Sequence, residues 1–147
     1  MSTDTLYTEN FPHMSPVWGR IFNFVADRAE GSYIYTTDGR KLLDFTCGIG
    51  VTNTGHCHPK VVAAIREQAG NFLHAQVNIV IHKPMLTLIE ELRKIVPPSI
   101  DGFYFSNSGA EAVEGAVKLA RVATGRPNII VFNGSFHGRT AGAMALT

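Results

Sequence analysis

A short apolar run that ends in a turn of small residues constrains this chain more than any other feature. Residues 102–105 are Gly-Phe-Tyr-Phe, which is typical of a buried strand, and Ser108 precedes Glu111 in the pattern of a helix capping box. The first turn of a helix leaves backbone N–H groups unpaired and carries partial positive charge. The segment therefore predicts an anion-binding helix start, and a phosphorylated ligand is the first hypothesis.

The helix predicted after this turn belongs to a βαβ unit. Its apolar positions recur at helical spacing and are Ala112, Val113, Ala116, Val117 and Ala120. Gly125 ends the helix, and residues 128–132, Asn-Ile-Ile-Val-Phe, predict a second buried strand parallel to the first. The carboxyl ends of parallel strands share one edge, where open α/β sheets bind ligands. We therefore expect the turn after Phe105 and the turn after Phe132 to lie side by side.

The second turn carries three side chains suited to a planar, phosphorylated ligand. Phe136 offers an aromatic face for stacking, His137 an imidazole, and Arg139 a guanidinium that can pair with a carboxylate. Each feature taken alone has an ordinary structural explanation, such as a capped helix, a core aromatic or a solvated arginine. Their predicted convergence at one sheet edge is what favours a binding site.

The residues that precede this segment suggest two other kinds of site. The histidines and cysteine of residues 56–58, with Cys47, lack the separated ligand pairs of a structural zinc site, so no metal is predicted. The glycines of residues 48–55 suggest a nucleotide-binding loop, but Asn53 stands at the third glycine position and the P-loop lysine is missing. A non-catalytic phosphate- or nucleotide-binding module stays open as an alternative to an enzyme.

Three segments together resemble the class III aminotransferases, which depend on pyridoxal phosphate. They occur in the family's order and are DFTCGIGVTNTGHCHP, FSNSGAEAVEGAVKLAR and SFHGRT, and the resemblance covers the chain from about Gly31 onward. Within the class the sequence looks most like 4-aminobutyrate and acetylornithine aminotransferases. The resemblance implies transamination between an ω-amino acid or related amine and a 2-oxo acid such as 2-oxoglutarate.

The resemblance also assigns site residues. Those assigned to the cofactor are Ser108, Gly109, Ala110, Phe136 and His137. The backbone at Gly109 and Ala110 would bind the phosphate, and Phe136 would stack on the pyridine ring. Arg139 would contact the substrate carboxylate, and Ile49 would line the substrate entrance. The resemblance assigns no metal ligand.

None of the chain's lysines resembles the family's Schiff-base lysine. They are Lys41, Lys60, Lys83, Lys94 and Lys118. The acidic partner of the pyridine nitrogen is not recognisable either, and family members are much longer. We therefore interpret the sequence as an amino-terminal fragment that contains no catalytic residue and is inactive by itself.

The fold that the resemblance implies is the amino-terminal portion of a fold type I pyridoxal-phosphate-dependent transferase. This is an α/β fold with a mainly parallel sheet flanked by helices, preceded by an arm and a β-hairpin of the small domain. Residues 1–57 would form the arm and part of the small domain, and residues 58–147 the first part of the large cofactor-binding domain. The residues themselves predict the hairpin at Asp38-Gly39 and helices from Pro59 and from about Pro84.

The composition limits the classes of partner and the cellular compartment that the sequence predicts. A net charge of +1 argues against a nucleic-acid surface, and no apolar run approaches the roughly eighteen residues of a membrane span. Two cysteines suit a reducing cytoplasm. Apolar residues of the first thirty predict an arm that packs on another subunit, and the family resemblance implies a homodimer.

Overall fold

The computed structural model describes residues 3–147, and these divide into two compact units between His74 and Ala75. The sequence-based domain boundary between residues 57 and 58 refers to the longer fold and stays a prediction. Among the residues whose burial the structure describes, only Thr36 and Ala143 are buried as whole residues. The apolar faces of helices and strands therefore lie largely open, as in Leu119 and Val122, which are 70% and 85% exposed.

The first unit is built around a three-stranded antiparallel sheet in the order β1-β2-β3. Its elements are α1 (Thr3–Asn10), a 3₁₀ turn (Phe11–His13), β1 (Ala26–Glu30), β2 (Tyr33–Thr36), β3 (Lys41–Leu43), the left-handed turn α2 (Cys47–Gly50) and α3 (Pro59–Asn71). The predicted hairpin is confirmed, because Tyr33 pairs with Leu43 across β2 and β3 and Gly39 adopts a φ of 85° in the turn. Strand β1 was not predicted, since Ala-Asp-Arg-Ala-Glu contains no β-branched or aromatic residue.

The second unit contains three helices and no sheet among its described residues. They are α4 (Lys83–Arg93), α5 (Gly109–Thr124) and α6 (Ala141–Met144). The predicted helices that begin near Pro59, Pro84 and Ser108 are all confirmed, and Gly125 ends α5 with a left-handed φ of 67°. None of the helices in the described part of the chain has the length and apolar character needed to cross a membrane.

The two strands predicted on either side of α5 are wrong for this chain. Residues 102–105 and 128–132 belong to no β-ladder, and Ile130 and Phe132 are 97% and 88% exposed. A strand requires hydrogen bonds to a neighbouring strand, and no described segment pairs with either run. The apolar pattern thus predicted that these two segments are buried, whereas in this chain they lie largely exposed.

Candidate cofactor site

The start of α5 has the capped geometry that the sequence predicts. The Ser108 Oγ accepts a hydrogen bond from the Glu111 N–H at 3.2 Å, and the Glu111 carboxylate accepts one from the Asn107 N–H at 2.7 Å. The capping box is therefore present, with the carboxylate reaching one residue further back than in the usual form. The N–H groups of Gly109 and Ala110, at the first helical positions, have no acceptor within the helix.

The turn that follows residue 135 lies directly against this helix start. Gly138 has a φ of 133°, and a Cβ placed on it would come within 2.5 Å of the Ala110 Cβ. Only a glycine allows the two backbones to approach so closely. The predicted convergence of the two turns is thus found, although it arises from this contact and not from parallel strands.

The aromatic and basic side chains of this turn lie next to one another. The Phe136 side chain is exposed, and the Arg139 guanidinium carbon lies 5.2 Å from the centroid of its ring. This is a cation–π distance, so Arg139 covers part of the Phe136 ring. The His137 N–H donates to the Thr147 Oγ1 at 3.2 Å, whereas its Nδ1 is buried and has no hydrogen-bond partner. An unpaired buried nitrogen is a position that a ligand can satisfy.

Ile49, the predicted substrate-entrance residue, lies in the first unit. Its backbone is left-handed, with φ 62° and ψ 52°, and its side chain is 94% exposed. Left-handed geometry is an outlier for a β-branched residue, and such strain is concentrated at functional sites. The roles of Ile49 and of the cofactor and substrate residues in the second unit stay predictions.

Glu114 connects α5 to the residues that follow the second turn, and sequence reasoning missed it. Its Oε1 accepts hydrogen bonds from the Thr140 Oγ1 at 2.7 Å and from the Gly142 N–H at 3.0 Å. The Thr140 hydroxyl lowers the pKa of Glu114, and the backbone N–H groups at the start of α6 lower it further. A contact between residues 26 apart leaves no local pattern in the sequence, so spacing could not predict it.

Asp44 and His56 form a second network that sequence reasoning missed. The Asp44 side chain is 4% exposed and accepts hydrogen bonds from the Thr46 N–H at 2.7 Å, the Thr46 hydroxyl at 2.6 Å and the Cys47 N–H at 3.2 Å. The His56 Nε2 lies 2.8 Å from its other oxygen. His56 therefore contacts a carboxylate, and the described residues contain no group of three His, Cys, Asp or Glu side chains that could hold a metal.

These hydrogen bonds predict a specific pH dependence. The Thr46 hydroxyl and then His56 hold the pKa of Asp44 well below its ordinary value. A depressed pKa in the folded state means that the stabilisation is present above the unfolded pKa of about 3.9 and is lost as the pH falls further. In an NMR titration that follows the Asp44 carboxyl carbon we expect the protonation midpoint of this carboxyl group to lie below about pH 4. A midpoint at or above the ordinary aspartate value would contradict this.

Comparison with known proteins identifies the family to which the chain is similar. The model of the family described as Aminotransferase class-III matches residues 14–147. Over 130 residues the chain is 46% identical to the 5-aminovalerate aminotransferase DavT of Pseudomonas aeruginosa and 44% identical to the 4-aminobutyrate aminotransferase GabT of Escherichia coli. Each of these alignments covers 88% of the chain and 30% of the relative. An acetylornithine aminotransferase of Halalkalibacterium halodurans is 42% identical over 92% of the chain and 34% of the relative.

Solved structures confirm the predicted fold class. The taurine:2-oxoglutarate aminotransferase of Bifidobacterium kashiwanohense, solved in complex with PLP and glutamate, superposes with a TM-score of 0.83 at 29% identity. That match covers 97% of this chain and 32% of the other. The chain thus spans about a third of the length of the proteins it matches. The family match extends over most of the sequence and includes all three motifs, so the chain belongs to the class III aminotransferases.

Proposed function

We propose that this chain supplies the phosphate-binding and ring-stacking part of an aminotransferase site that uses pyridoxal phosphate. The longer protein would transfer the amino group of an ω-amino acid or related amine to a 2-oxo acid. The contact of Gly138 with Ala110 carries the proposal, because it sets an aromatic, cationic turn against an open helix start. The names of the relatives support the substrate class.

The residues present fit such a group. The N–H groups of Gly109 and Ala110 can hold the phosphate, and the Ser108 Oγ, which already accepts from Glu111, can still donate its proton. The Phe136 ring can stack on the pyridine, and the His137 Nδ1 lacks a partner. When bound, pyridoxal phosphate supplies the carbonyl that receives the amine and a ring that withdraws electrons.

The chain's own residues would bind and orient without transferring the proton. Arg139 can pair with the substrate carboxylate because its guanidinium presents two parallel donors. The lysine and the acidic ring partner would come from elsewhere in a longer protein. The 147-residue chain, incubated with cofactor, 4-aminobutyrate and 2-oxoglutarate, should therefore form no glutamate. Glutamate formation would refute the assignment of the catalytic lysine to another segment.

Binding is best measured with pyridoxine 5′-phosphate. This compound keeps the ring and phosphate but lacks the aldehyde, so it cannot react with surface lysines. A few charge-assisted hydrogen bonds of about 1.5–3 kcal/mol each, with stacking of about 1 kcal/mol, must offset an association cost of several kcal/mol. We expect a dissociation constant on the order of a millimolar. Micromolar affinity for pyridoxine 5′-phosphate would argue for a different site. Equal affinity for inorganic phosphate would argue for a general phosphate-binding module.

Phe136→Leu tests the stacking role. Loss of the aromatic face should weaken pyridoxine 5′-phosphate binding about fivefold and leave the affinity for inorganic phosphate unchanged. Phe132→Leu is the matched control, because Phe132 is also exposed and lies four positions earlier in the same unit. Calorimetric titration of both variants gives the comparison. Equal effects of the two substitutions would exclude a specific role for Phe136.

We also propose an assembly and a cellular compartment for the longer protein. The longer protein would be a homodimer, to which the arm contributes apolar side chains that are exposed here. They are Val17, Trp18, Ile21 and Phe22. The free thiols of Cys47 and Cys57 are compatible with a reducing cytoplasm, which we propose as the location.

A further inference from the structure

The Glu114 carboxylate connects α5 to the start of α6 in the second unit. It accepts hydrogen bonds from the Thr140 hydroxyl and the Gly142 N–H, as described above. The Thr140 Oγ1 in turn accepts from the Ala143 N–H at 3.3 Å, which caps α6. One carboxylate on α5 therefore fixes both the cap and the first turn of α6.

A second contact shows how closely the carboxylate fits. A Cβ placed on Gly142 would lie 2.5 Å from a Glu114 carboxylate oxygen, so the backbone of α6 rests directly on this side chain. Ala143 in the same turn is fully buried. The Thr147 hydroxyl, which donates to the Ala143 carbonyl, also accepts the His137 N–H. The attachment of α6 thus extends back to the turn that carries Phe136.

We propose that Glu114 is a positioning residue that holds the turn of residues 136–139 against the start of α5 and so places the stacking ring beside the phosphate-binding amides. The inference rests on the proposed function. Glu114 itself would touch neither ligand nor substrate. It would act through Thr140 and α6, one turn of α5 beyond the residues that bind phosphate.

The chemistry of the contact predicts which substitutions matter. Both hydrogen bonds are accepted by a side-chain oxygen, so Glu114→Gln keeps an acceptor while Glu114→Ala removes it. The amides of Gly109 and Ala110 are part of α5 itself and do not depend on the second turn. Ring stacking should therefore be lost without loss of phosphate binding.

The test uses the 147-residue chain with two probes, pyridoxine 5′-phosphate and inorganic phosphate. We expect Glu114→Ala to weaken pyridoxine 5′-phosphate binding about fivefold and phosphate binding less than about twofold, with Glu114→Gln close to the unsubstituted chain. Glu90→Ala, which removes an exposed carboxylate from α4, is the control and should bind both probes normally. Equal weakening of both probes, or no change in either, would overturn the proposal.

Hydrogen exchange separates this inference from the proposed function. The Gly142 amide should exchange about tenfold faster in Glu114→Ala than in Glu114→Gln, and the Phe136 and Gly138 amide resonances should move only in the alanine variant. Failure of the unsubstituted chain to bind either probe would refute the proposed function, while this exchange difference would still support the positioning role. Unchanged amide exchange and unchanged resonances in Glu114→Ala would refute the positioning role, whether or not the chain binds either probe.

Discussion

Gly138→Ala is expected to abolish detectable stacking of pyridoxine 5′-phosphate. The new Cβ would lie 2.5 Å from the Ala110 Cβ and 3.0 Å from the Ala110 Cα, and the φ of 133° is unfavourable for any L side chain. A clash with backbone cannot be relieved by a rotamer change, so the second turn must move away from α5. We expect the affinity for pyridoxine 5′-phosphate to fall more than about tenfold, because the displaced turn carries away His137 together with the Phe136 ring.

Two controls separate the clash from backbone strain. Gly134→Ala introduces a side chain at a φ of 77° with no atom within 4 Å, so it imposes strain without a clash. Gly102→Ala has neither, because its φ is ordinary and its surroundings are open. We expect Gly102→Ala to bind pyridoxine 5′-phosphate with normal affinity. The affinity of Gly134→Ala should be much closer to that of Gly102→Ala than to that of Gly138→Ala. Normal binding by Gly138→Ala would show that the contact with Ala110 does not form the site.

Asp44→Asn is expected to release the turn that carries Ile49. The substitution replaces a charged carboxylate by a neutral amide, whose oxygen is a weaker acceptor for the N–H groups of Thr46 and Cys47 and whose NH₂ group faces His56. The turn that follows contains left-handed Cys47, Gly48, Ile49 and Gly50, a geometry that persists only where its surroundings enforce it. Loss of the carboxylate should therefore let the turn relax.

The cysteines of the chain provide the readout. Cys47 is half-buried within the turn and Cys57 is exposed outside it. In Asp44→Asn we expect Cys47 to react with a thiol reagent about tenfold faster, while Cys57 changes little. Asp27→Asn, an exposed aspartate in β1 of the same unit, is the control. Unchanged labelling of Cys47, or equal acceleration at both thiols, would show that Asp44 does not hold the turn.

Local signals in the sequence predicted the local elements. Ser108 and Gly125 marked the ends of α5, and Asp38-Gly39 marked the hairpin, because caps and turns depend on a few neighbouring residues. The strands predicted at residues 102–105 and 128–132 were wrong, because a strand also requires a partner and an apolar run does not say whether one is available.

The contacts that shape the candidate site could not be predicted from short-range sequence patterns. Glu114 and Thr140 lie 26 residues apart, and Asp44 and His56 lie 12 apart, so no periodicity connects them. Gly138 was named only as part of a motif, and its contact with Ala110 required the backbone. The roles of the site residues therefore stay predictions from the sequence, and the hydrogen bonds that position their turns could not be inferred from it.

The central claim is that the two turns form one binding site, and residue-resolved NMR tests it most directly. The 147-residue chain would be titrated with pyridoxine 5′-phosphate while the amides of Gly109 and Ala110 and those of residues 136–139 are followed. We expect both groups to shift together and to give one common dissociation constant on the order of a millimolar. Shifts in only one turn, or different constants for the two, would show that they do not form a common site.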